Sequence, residues 1–125
     1  MRRARVFVAG QDAPDEVSGA DVVVVAADED AALAESIRDR APNAVVVVVG
    51  GSPKEICEAT LFPRGRIIGV AGQAEADAIV DAVVNDCDAR FEAVVRCQGE
   101  RGIDDEFASV PVKIGARGVI EIFER

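Results

Sequence analysis

The first residues able to do chemistry in the 125-residue chain are Gly50-Gly51-Ser52, which close an unbroken apolar run, Ala44 to Val49, and open onto Pro53-Lys54-Glu55. Two glycines permit a tight turn, and free backbone N–H groups ahead of a helix attract anions, so the triplet suits a small anion or a nucleotide phosphate. The same residues also read as a plain turn. Ser52 can cap a helix with Pro53 at its first position, and Glu55 three residues on completes a capping box. Two acidic clusters follow in rank. Asp28-Glu29-Asp30 suits a cation, or the first turn of a helix whose dipole favours acids. Asp104-Asp105-Glu106 reads as a solvated loop rather than a catalytic acid and base pair. Arg64, Arg66 and Arg101 have the chemistry to hold a carboxylate or phosphate, with pairing to surface acids as the ordinary reading.

The composition narrows these options. The chain has no histidine, so no side chain has an unperturbed pKa near neutrality. Cys57, Cys87 and Cys97 are an odd set without a C-x-x-C pair, which argues against a disulfide framework or a zinc site and for reduced, buried or half-buried thiols in a cytoplasmic protein. No metal site is expected. Twenty-three acids against fourteen bases give a formal charge of −9, which excludes nucleic acid or an anionic membrane as the main partner. No apolar run reaches the roughly 20 residues of a membrane span, and Gly10, Asp12 and Pro14 interrupt the start before a signal-peptide core can form. An acidic chain with two lysines, Lys54 and Lys113, fits a salt-loving organism or a high-GC genome equally well.

These residues need elements to position them. Five consecutive valines, Val45 to Val49, leave no polar face, as in a parallel strand buried on both sides. Residues 20–27 repeat the pattern, 66–70 form a third apolar run, and 5–9 form a short strand expected at an edge. Helical spacing covers 28–40, Pro53 to Leu61, and 74–87. Alternation then predicts strands at 90–97, 107–114 and 119–123, with Gly115 to Gly118 as a turn and Pro111 at an edge or bulge. The fold class expected is α/β: a reduced parallel sheet with flanking helices, followed by a C-terminal antiparallel β meander. It forms one domain, divided into 1–73 and 74–125 by the change of pattern.

Ala20-Asp-Val-Val-Val-Val, Ala41-Pro-Asn-Ala-Val-Val-Val-Val-Val with Ser52-Pro53, and Arg66-Ile-Ile-Gly-Val-Ala-Gly72 resemble successive strands of the Rossmann domain of malate and lactate dehydrogenases. Residues 99–122, from Gly-Glu-Arg-Gly-Ile to Gly-Val-Ile-Glu-Ile, resemble the end of the malate dehydrogenase substrate domain. The resemblance implies a Rossmann-like fold, NAD as cofactor and hydride transfer as activity. It also exposes departures: there is no G-x-G-x-x-G, Asp28-Glu29-Asp30 stands where the family has its arginine-bearing loop, Gln73 stands where an arginine segment begins, Ser52 replaces an asparagine, and the catalytic histidine is missing.

The expectation is therefore a shortened dehydrogenase-like protein without dehydrogenase activity or catalytic residues, serving as a self-assembling binding or regulatory module. The expected state is a homo-oligomer, at least a dimer, with pairing to a full-length relative as a further partner. No cofactor is expected under this reading. The alternative is an NAD-type nucleotide-binding protein or residual oxidoreductase with Gly50, Gly51 and Ser52 at its site; a third reading is a relic framework without ligand. In the family's sheet the Ala20–Ala27 strand has a neighbour that is missing here. Its edge must be covered by the amino-terminal strand or by a second subunit, and the aliphatic faces of the 28–40 and 75–87 helices are further candidates for burial between chains.

Overall fold

Strands with no polar face need cover on both sides, and the computed structural model of the chain provides it. It describes residues 5–9, 14–26, 31–50, 53–85, 88–98 and 104–123. The elements are β1 (Val6–Val8), β2 (Val22–Ala26), α1 (Ala31–Arg40), β3 (Val45–Val49), α2 (Lys54–Thr60), β4 (Ile67–Val70), α3 (Gln73–Val84), β5 (Ala89–Gln98), β6 (Asp104–Gly115) and β7 (Gly118–Ile122). Short 3-10 turns at Pro14–Val17 and Arg64–Arg66 lie between them.

The strands form one seven-stranded sheet in chain order. β1 to β4 run parallel, with Val24 beside Val47 and Val47 beside Ile68. β4 to β7 are antiparallel, as expected of the meander, and β4 joins it to the parallel strands in one sheet, a continuity that the sequence reading did not include. Alternate residues of each strand feed opposite cores. Val23, Val25, Val46, Val48 and Ile67 pack under α1 and α2 with Ala34, Ile37 and Ile56. Val22, Val24, Val45, Val47 and Ile68 pack under α3 with Ala76, Ile79 and Val83, and this second core continues into the meander through Ala93, Val95, Val110 and Val112.

The amino-terminal strand answers the edge problem. β1 pairs with β2 in parallel, Phe7 beside Val23, and becomes the outer strand itself. Arg5 fastens it: its backbone N–H donates to Asp21 Oδ2 at 2.8 Å and its Nη1 to the Ser18 carbonyl at 2.8 Å. The aliphatic faces of α1 and α3, candidates for burial between chains, are taken up by the chain's own cores; Ala34, Ile37 and Ala76 are fully buried. Burial inside one chain avoids the translational and rotational cost of association.

Two local expectations are corrected. Asp104 to Glu106 do not form a loop: they begin β6, with Asp104 paired to Gln98 and Glu106 to Cys97 across a register shift, because the long β5–β6 hairpin carries the ladder past the charged stretch. Pro53 is the cap residue of α2 rather than its first helical residue, with φ −80° and no side-chain hydrogen bond to the cap. Pro111 sits where the proline rule requires. Its carbonyl accepts from the Phe123 N–H at 2.9 Å just past the last residue of β7, so the missing N–H falls where the β7 ladder ends.

Candidate functional site

The carboxyl ends of β2, β3 and β4 lie on one side of the sheet, where α/β folds place ligands. Gly50 follows β3 there, exposed, with φ +90°, and its N–H donates to the Val70 carbonyl at 2.9 Å. This conformation needs glycine and ties the turn to the end of β4. Gly51 and Ser52, like Asp28, Glu29 and Asp30, lie outside the described residues. Beyond the turn, α2 is only 7 residues long and carries Glu55 in its first turn.

The start of α3 is the second edge of this site. Gly72 precedes it in extended backbone, and Glu75 Oε2 lies 3.2 Å from where a Cβ on Gly72 would stand. The helix's own carboxylate therefore lies beside the amino end that an anion would seek. Gln73 is turned along the helix, its Nε2 donating to Asp77 Oδ1 at 2.9 Å. The described groups at this end are backbone amides, one lysine (Lys54), Gln73 and acids, which can orient a ligand by hydrogen bonds.

The described cysteines offer no nucleophile. Cys57 and Cys97 are buried and not joined in a disulfide, and Cys87 lies outside the described residues. Burial pushes the Cys57 thiol pKa up, opposed by the nearby Arg96, so the thiol stays protonated at neutral pH. No cluster of three or more His, Cys, Asp or Glu among the described residues could hold a metal.

Arg66 departs from its ordinary reading. It pairs with backbone and an aromatic ring instead of surface acids: Nη1 donates to the Pro42 and Ala44 carbonyls, and the guanidinium lies 4.4 Å from the Phe62 ring centroid. Burial lowers its pKa. Arg101 and the Arg64 side chain are outside the described set. Sequence reasoning missed that Arg66 lines a cavity of about 500 Å³ with Asp21, Asn43, Ala116 and Arg117, at the amino ends of the same strands. The available signal was positional: Asp21, Asn43 and Arg66 each sit one or two residues ahead of a parallel strand.

Parallel strands with helices on both faces and a glycine turn at their carboxyl ends define a Rossmann-like α/β framework. The chain resembles part of a malate dehydrogenase in sequence and shares the fold of malate and lactate dehydrogenases. It is 36% identical over 78 residues to malate dehydrogenase of Salinibacter ruber, covering 57% of this chain and 25% of that enzyme's length. In fold it matches malate dehydrogenase from Aeropyrum pernix with a TM-score of 0.79 at 18% identity, over 92% of this chain and 71% of that one. Lactate dehydrogenase from Eimeria maxima, solved with NADH and oxamate, matches with a TM-score of 0.81 at 12% identity, over 92% and 70%. No family model matches the chain. It spans about a quarter of the length of the curated relative it matches.

Proposed function

We propose that this chain is a dehydrogenase-like module that binds and assembles without carrying out hydride transfer. The observation that carries the reading is the absence of histidine from the sequence. A 2-hydroxy acid gives up its alcohol proton as the hydride leaves, and that proton needs an acceptor with a pKa near the working pH. The framework is kept and the proton shuttle is not.

Assembly as a homo-oligomer, or on a full-length relative, is the second part of the proposal. Ile120, 54% exposed, and Val6, 37% exposed, stand on the two outer strands of the sheet, and outer strands are the natural places for another chain to add. Light scattering at micromolar concentration and moderate salt tests it: a dimer or larger mass is expected, and a monomer mass refutes self-assembly.

A second reading has support of its own. The exposed Gly50 turn, with its positive φ, occupies the ligand end of a framework that holds NADH in the Eimeria maxima enzyme. Thermal shift with NAD, NADH, NADP, ATP and malate separates the two. The leading reading expects no dinucleotide stabilisation; a rise of several degrees with one dinucleotide replaces it by a nucleotide-binding function.

A further inference from the structure

We infer that the cavity at the amino ends of β2, β3 and β4 is a binding site for a small oxyanion, a ligand bearing a phosphate or carboxylate group. Its volume, about 500 Å³, is that of a small-molecule site, and four of the five residues that line it, Asp21, Asn43, Arg66 and Arg117, carry polar groups, Ala116 being the fifth. Four separate chain segments bring these groups together. Asp21 precedes β2, Asn43 lies in the α1–β3 connection, Arg66 precedes β4, and Ala116 and Arg117 form the β6–β7 turn.

Charge is the discriminating observation. In a chain with 23 acids and 14 bases, two guanidinium groups line one cavity, and neither forms an ion pair with a carboxylate among the described residues. Arg66 is held in place before any ligand arrives. Two backbone carbonyls anchor Nη1 and the Phe62 ring covers the guanidinium, while its remaining N–H donors have no acceptor among the described residues. A guanidinium has five donors, and a planar fork held this way matches the oxygens of a phosphate or carboxylate. Arg117 is exposed on a two-residue turn and supplies a second, adaptable cation. The Asn43 amide can donate or accept. Asp21 is engaged within the fold, its Oδ2 accepting the Arg5 backbone N–H. This end is opposite the Gly50 turn, so the site is independent of the dinucleotide question.

An NMR titration of the full chain, observing the Arg66 and Arg117 Nε–H and Asn43 side-chain signals, tests the inference. Inorganic phosphate is added in one arm and succinate in another, with chloride at matched ionic strength as the control. Saturable shifts at all three side chains in the phosphate or succinate arm, absent with chloride, are expected, and the arm with the lower Kd identifies the oxyanion class. Arg117→Ala should weaken that Kd at least tenfold and leave the unliganded melting temperature unchanged, since its side chain is exposed. Arg66→Lys keeps the charge but loses the fork, and should weaken binding as well. No saturable shift in either arm, or an affinity that Arg117→Ala does not alter, overturns the site.

Discussion

Gly69 is the position where the structure makes its most quantitative demand. It is the β4 residue registered with Val94 of β5, and so sits at the seam between the parallel strands and the meander. A Cβ there would stand 3.0 Å from Pro53 Cδ, 3.2 Å from Pro53 Cγ and 3.1 Å from Val94 Cβ. Carbon atoms prefer about 3.5–4.0 Å, so each contact falls short by roughly half an ångström. Neither neighbour is the free end of a flexible side chain: one is a buried ring that caps α2, the other a β-branched residue in a ladder. Overpacking of this kind costs about 1–3 kcal/mol. Two other glycines separate the causes. Gly50→Ala meets no atom within 4 Å but has φ +90°, so it should lose about 1 kcal/mol from backbone strain alone. Gly118→Ala combines φ +99° with a Cβ only 2.2 Å from the Gly65 carbonyl oxygen and should lose more than about 3 kcal/mol. Urea unfolding followed by far-UV circular dichroism is the suitable assay, because the chain has neither Trp nor Tyr for fluorescence. The order expected is Gly118→Ala below Gly69→Ala, with Gly50→Ala nearest the parent. A Gly69→Ala protein as stable as the parent would refute the close packing at the seam.

Two further perturbations follow from local geometry. Leu61 caps the end of α2 in left-handed conformation, φ 59°, with its side chain 76% exposed, so Leu61→Gly should raise stability by up to about 1 kcal/mol in the same urea assay; a loss would mean that the side chain packs more than its exposure implies. Burial raises the Cys57 pKa, so the unfolded chain loses its thiol proton first as pH climbs, and the Cys57 contribution to stability is full below about pH 8.5 and declines above it. Unfolding at pH 7.5 and 10 should show a smaller alkaline loss in Cys57→Ala than in the parent, and an equal loss in both would contradict the buried, protonated thiol.

Valine runs and helical spacing made the parallel strands and all three helices legible in the sequence, because a strand covered on both faces and a helix covered on one have distinct local signatures. The Gly115–Gly118 hairpin was legible for the same reason, since its turn residues carry the signal themselves. What was not legible depended on partners far away in sequence. The sequence offered β1 or a second subunit as cover for β2 without deciding between them, and that α1 and α3 would bury their aliphatic faces within one chain follows from packing between separate elements. Asp104 and Glu106 look like loop residues until the β5 ladder holds them. Arg66 looked like a surface cation because nothing beside it in sequence reveals the Pro42 and Ala44 carbonyls that take its donors. Of the candidate site, the glycine turn could be read directly, while the arginine-lined cavity at the opposite end could not, because four separate segments assemble it.

The central claim is a dehydrogenase-like framework without the proton shuttle of hydride transfer. The most direct test is to incubate the purified chain at high concentration with NAD and malate, then with NAD and lactate, and follow absorbance at the NADH band. The account predicts no NADH formation above the protein-free rate for either substrate. Saturable turnover that rises in proportion to the concentration of this chain would contradict it.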